Sequence, residues 1–77
     1  MNRCRISSSE RFEIGRRMKA ARLKARLTQA ELAEIAMVHK SSITNWESGA
    51  RLPDYRGLIL VCRTCKVKSD WILGVKL

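Results

Sequence analysis

Acidic residues are scarce in this 77-residue sequence: seven Asp and Glu stand against sixteen Lys and Arg, a formal net charge of +9. A field that strong on so small a surface disfavours cationic partners and favours polyanions, whether nucleic acid, an anionic membrane or an acidic protein. Helix breakers are few, one proline and four glycines mostly at junctions, and strand signals are almost missing. That leaves an all-α chain as the expectation. No run of ~18 apolar residues occurs, and the N-terminus MNRCRISSSERF lacks the apolar segment of a secretion signal. The chain therefore reads as soluble and cytoplasmic. Cys4, Cys62 and Cys65 are an odd set, which in a cytosolic protein reads as reduced thiols and not as a disulfide framework. Repeats and low-complexity linkers are absent, and this length excludes a second domain. One domain is expected over 9–77, behind a flexible tail over 1–8 that carries Cys4.

What is present is helical spacing. Phe12, Ile14, Met18, Ala21, Ala25 and Leu27 recur among basic residues and predict a first helix over about 9–25, capped by Ser7 with Glu10 or by Ser9 alone. Thr28 followed by Glu31 is a capping box, so a second helix begins at Gln29, ends near Ala36 and buries Leu32, Ala33 and Ala36. A third, over about 40–48, buries Ile43 and Trp46 and stops at Gly49, where a left-handed backbone is tolerated. Pro53 and Asp54 stop one segment and cap a fourth helix over about 55–65, with Leu58, Val61, Cys62 and Cys65 inward. Gly57 costs that helix up to ~1 kcal/mol. Ser69 is the expected cap of a short helix over 70–73, whose Asp70 suits the positive helix end. Five short helices make a compact all-α bundle.

Helices two and three, with three residues between them, have the lengths of a helix-turn-helix unit, whose second helix enters the DNA major groove. Length alone does not discriminate, since any small bundle holds two helices with a short connection. Polarity does. A merely soluble helix carries Glu and Lys outward, whereas helix three offers Lys40, Ser41, Ser42, Thr44 and Asn45. Lys40 can reach guanine acceptors or a phosphate, Asn45 can pair with adenine through two bonds, and the hydroxyls can bond to base or backbone. The plainer account of Ser41 and Ser42 is that serine is tolerated in a first turn.

Four motifs in order, LTQAELAE at 27–34, SSITNWESG at 41–49, ARLPD at 50–54 and VKSDWILG at 67–74, make the chain from Phe12 to Gly74 resemble the helix-turn-helix domain of lambdoid phage repressors and Cro proteins, the XRE-like group. By that resemblance Lys40, Ser41, Asn45 and Thr44 face bases. Gln29, Ser42, Arg51 and Thr28 face the DNA backbone, Gln29 also bracing the first residue of the recognition helix, and the loop of Arg51 offering backbone amides. Arg22 and Glu47 imply a largely buried structural salt bridge, and Trp46 a core residue. Met37 and Arg26 stand where the group often has glycine. If either backbone is left-handed, the Cβ costs roughly 1 kcal/mol or more.

Rival chemistries have less behind them. One CxxC with no second pair is short of a four-ligand zinc site, and Cys62 and Cys65 fit as small hydrophobes. His39 has no nucleophile or paired carboxylate beside it and suits a cap or a phosphate neighbour, so neither catalysis nor cofactor is expected. The basic residues Arg16, Arg17, Lys19, Lys24 and Arg26 read as a solvated face that collectively attracts phosphate. A membrane role would need an apolar face left over after packing. The expectation is a sequence-specific double-stranded DNA-binding transcriptional regulator, a repressor, binding a palindromic operator as a homodimer. Its dimer surface would lie around Trp71, Ile72, Leu73, Val75 and Leu77. With Leu77 last, no small-molecule effector domain is expected. The alternative is an antitoxin or protein-docking module of the same fold.

Overall fold

Side chains decide where three of the helices begin. The structure, a computed structural model, describes residues 7–74. Ser7 Oγ accepts from the Glu10 amide at 3.2 Å while the Glu10 carboxylate accepts from the Ser7 amide at 2.9 Å, and Thr28 with Glu31 repeats the arrangement at 3.0 and 2.8 Å. Asp54 Oδ1 accepts from the Gly57 amide at 2.8 Å. Each box satisfies two amides that a helix start leaves without partners. The elements are α1 (Ser8–Lys24), α2 (Gln29–Ala36), α3 (Lys40–Ser48), α4 (Tyr55–Cys65) and α5 (Ser69–Leu73), and no strand occurs among the described residues. The expected all-α, five-helix bundle is the observed fold. Two local expectations are corrected. α1 starts at Ser8, inside the segment read as tail. Ser69 is the first residue of α5 and not its cap; Lys68 holds the cap position and makes no side-chain cap bond. His39 occupies the cap position of α3, again without a side-chain cap bond.

Three helix ends follow one rule. Arg26, Met37 and Lys66 all have left-handed backbones, with φ of 62°, 59° and 58°, and each is followed by an apolar residue, Leu27, Val38 or Val67, packed against the core. The reversed turn lets the next amide reach back, Leu27 to the Arg22 carbonyl at 3.2 Å, Val38 to Ala33 at 3.0 Å and Val67 to Cys62 at 3.0 Å. Burying the apolar side chain and closing that bond offset a Cβ cost of about 1–2 kcal/mol per site.

Ile14, Met18, Leu32, Ala33, Ile43, Trp46, Val61 and Ile72 form the core. α3 packs on α1 and α2, α4 lies against α1 and α2, and α5 closes over α1 and α4. The core face of α1 is Ile14, Gly15, Met18, Ala21 and Arg22. Phe12, expected on that face, is 54% exposed; the inward positions it was grouped with are completed instead by a glycine and an arginine. Gly15 is required by proximity. A Cβ there would stand 2.5 Å from the Trp46 carbonyl oxygen and 2.6 Å from that of Glu47, so α1 and α3 touch backbone to backbone. Gly57 has a similar reason, since a Cβ would lie 2.5 Å from the Trp46 ring. Its helix-propensity penalty makes room for the indole.

Two substitutions should act against simple helix propensity. Met37→Gly should raise the unfolding free energy by about 1 kcal/mol by relieving the left-handed Cβ, and Gly15→Ala should lower it by roughly 1–3 kcal/mol through overpacking. Urea unfolding followed by circular dichroism reads both; the opposite signs would refute the turn and the close approach respectively.

Candidate nucleic-acid interface

The polar surface of α3 is anchored by a buried charge pair behind it. Arg22 on α1 donates from Nε to Glu47 Oε2 at 2.7 Å and from Nη2 to Oε1 at 3.1 Å, with the two side chains only 8% and 4% exposed. The remaining arginine nitrogen Nη1 donates to the Leu27 carbonyl at 2.8 Å, at the α1–α2 bend. Glu47 Oε1 also accepts from Gln29 Nε2 at 3.1 Å. One ion pair thus ties α1, the bend, the first residue of α2 and the end of α3 together. No buried side-chain N or O among the described residues lacks a partner, the condition under which such a pair is tolerable in a low-dielectric interior.

From Gln29 the network reaches the outer face. Thr44 Oγ1 lies 3.4 Å from Gln29 Oε1 and 3.2 Å from the Lys40 carbonyl oxygen. The residue that Gln29 braces is therefore Thr44, one turn along α3, with Glu47 behind it, and not the first residue, Lys40. Beside Thr44 the side chains of Lys40, Ser41, Ser42 and Asn45 form no hydrogen bond or ion pair among the described residues. Lys40 and Ser41 are exposed, Ser42 and Asn45 half-buried. This is a row of open donors and acceptors on one short helix.

The loop after α3 departs from the expected backbone-amide contact. The Ala50 amide donates to Ser48 Oγ at 3.3 Å and the Arg51 amide to the Asn45 carbonyl at 3.2 Å, so both amides are engaged internally. What Arg51 offers outward is its exposed side chain. Arg11 Nε donates to the Gly49 carbonyl at 3.2 Å, fixing the end of α3 to the start of α1.

Local pairing sharpens the positive field. Of the seven acids, Glu47 is buried, Glu10, Glu31 and Asp54 cap helices, and Glu13 lies 3.2 Å from Arg16 and 3.8 Å from Arg17. Only Glu34 and Asp70 remain outside such roles, so few acids are left to offset the exposed cations among the described residues. Cys62 and Cys65 are half-buried and packed against the core; burial pushes both thiols above their ordinary pKa, and Cys65 is raised further by Cys62 beside it. Among the described residues no three His, Cys, Asp or Glu side chains are grouped to hold a metal, and no helix is long and apolar enough to cross a membrane. Cys4 lies outside the described residues.

A family model described as Helix-turn-helix matches residues 18–72. The chain belongs to this XRE-like helix-turn-helix family. It is similar to the HTH-type transcriptional regulator ImmR of Bacillus subtilis (strain 168), 36% identical over 63 residues, which are 82% of this chain and 50% of that protein. The chain thus spans about half the length of that relative. The fold is also that of the clp gene regulator ClgR from C. glutamicum, with a TM-score of 0.75 over 84% of each chain at 23% identity. By name these relatives are regulators and not enzymes.

Glu47→Gln should lower stability on the order of 3 kcal/mol, because it leaves the Arg22 guanidinium buried without its counter-charge. Urea unfolding checks this; a loss below about 0.5 kcal/mol, the scale of ordinary surface substitutions, would remove the pair from its structural role.

Proposed function

We propose that this helix-turn-helix domain binds double-stranded DNA sequence-specifically as a transcriptional repressor, with α3 in the major groove and α2 crossing the backbone. The observation that carries the reading is the row of polar side chains on α3 that have no partner among the described residues, on a helix anchored from behind by Arg22, Glu47 and Gln29. Neutral hydrogen-bonding groups held on a rigid element suit base edges; a helix needed only for solubility has no use for their alignment. Lys40, Ser41, Thr44 and Asn45 read bases. Gln29, Thr28, Ser42 and the Arg51 side chain hold phosphates and set register, and the net charge of +9 supplies most of the non-specific affinity.

A single α3 spans too few base pairs for useful specificity, so the domain acts as a two-fold dimer on a palindromic operator. The proposed dimer surface excludes Ile72. Ile72 is wholly buried in the domain's own core, while Trp71 is 49% exposed and Leu73 is also exposed. Trp71 and Leu73 carry the contact in this proposal; Val75 and Leu77 lie outside the described residues. A protein-docking role, as in an antitoxin, is the rival reading, and it would leave the alignment of the α3 polar row without a purpose.

Selection of random duplexes by the purified protein at physiological salt tests the proposal. Enrichment of a palindrome with half-sites about one helical turn apart is the expected result. On that site Asn45→Ala should lose ~1–3 kcal/mol and relax preference at one base pair, whereas Arg51→Ala should weaken all DNA alike and flatten the salt slope by about one. Retention without any enriched sequence would refute sequence reading and turn attention to a protein partner.

A further inference from the structure

Two threonines on the α2–α3 surface have hydroxyls bonded in opposite senses. Thr28 Oγ1 accepts from the Glu31 amide at 3.0 Å, and its own proton has no acceptor among the described residues. Among the described residues Thr44 Oγ1 receives no donor; its neighbours are the Lys40 carbonyl oxygen at 3.2 Å and Gln29 Oε1 at 3.4 Å. Both of those atoms only accept, and a hydroxyl has one proton to give. The Gln29 amide cannot be reversed to present its NH2 to Thr44, because that end faces Glu47 Oε1 at 3.1 Å, on a carboxylate already bonded to two Arg22 nitrogens. An ionised carboxylate accepts only, so the amide orientation follows from its partners. The buried ion pair thereby orients Gln29, and Gln29 with the Lys40 carbonyl orients Thr44, proton inward and lone pairs outward.

We propose that Thr44 is a specificity-determining residue that reads an exocyclic amino group, adenine N6 or cytosine N4, and so restricts one base pair per bound copy of α3 to A or C on the contacted strand. The inference rests on α3 lying in the major groove. Phosphate oxygens, guanine N7 and O6 and thymine O4 are all acceptors, and an outward-facing lone pair finds no partner in them; the amino groups of adenine and cytosine are the donors in that groove. Thr28, wired the other way, offers a proton and suits a phosphate oxygen.

Duplex selection with the wild type, Thr44→Val and Thr44→Ser separates the possibilities, each protein first checked for an unchanged thermal midpoint. Valine keeps the shape and removes the acceptor; serine keeps the acceptor. In the wild-type motif one position should be restricted to A or C on one strand. Thr44→Val should lose that restriction and bind the motif roughly 3- to 10-fold more weakly, the effect of one hydrogen bond, with random-DNA affinity and salt slope unchanged. Thr44→Ser should retain the restriction. The proposal is overturned if Thr44→Val leaves the motif intact, or if it weakens motif and random DNA equally with a shallower salt slope, the behaviour of a phosphate contact. A wild type that enriches no motif would instead remove the groove-reading function, and this inference with it.

Discussion

The placement of α3 against α1 and α2 depends on one buried ion pair. Arg22 and Glu47 sit in a core too small to absorb two charges unless every remaining donor and acceptor is matched, and the matching partners are the Leu27 carbonyl and the Gln29 amide. Those partners place the bend before α2, the first residue of α2 and the last turn of α3 in a single relation. A pair of leucines of the same volume could hold α1 to α3 at least as strongly. They could not orient an amide or, through it, a hydroxyl on the surface. The pair is best understood as a positional device whose stability contribution is secondary.

The same economy governs the surface charge. A chain of 77 residues with +9 net charge repels itself, yet its acids are placed mostly where they do local work, in helix caps, in the Glu13 cluster and in the buried pair. Most of the described lysines and arginines lie at the surface. Such a distribution raises encounter rate and non-specific affinity for a polyanion, while on the proposed function discrimination comes from Lys40, Ser41, Thr44 and Asn45 on α3. On that proposal affinity and specificity draw largely on different side chains and respond differently to salt.

Much of this was legible in the residues themselves. The boxes at Ser7/Glu10 and Thr28/Glu31, the stop at Gly49 and the cap at Asp54 mark helix boundaries by local chemistry that needs no tertiary context. What escaped were features whose reasons lie across the fold. Phe12 fits the apolar period of α1 but faces solvent, because Gly15 and Arg22 occupy inward positions that no hydrophobicity pattern counts. Gly57 reads as a defect until the Trp46 ring is set against it. Lys66 gives no sign of a left-handed backbone except the apolar Val67 after it, a pattern shared with Arg26–Leu27 and Met37–Val38 that could have been found in the sequence. At the candidate site, the residue types on α3 and the Arg22–Glu47 pairing were readable from motif positions. The bracing of Thr44 in place of Lys40, and the internal use of the Ala50 and Arg51 amides, required coordinates, since both depend on distances of a few tenths of an ångström.

The central claim is that a rigidly backed α3 meets DNA bases. Titrating the ¹⁵N-labelled protein with its selected duplex at physiological salt, and recording amide shifts, tests it most directly. The account predicts saturable changes at the backbone amides from Lys40 to Asn45 and at the side-chain amides of Gln29 and Asn45, absent or averaged with a scrambled duplex, while α4 stays unchanged. Equal, salt-labile shifts with both duplexes, or shifts confined to α4 and α5, would contradict it.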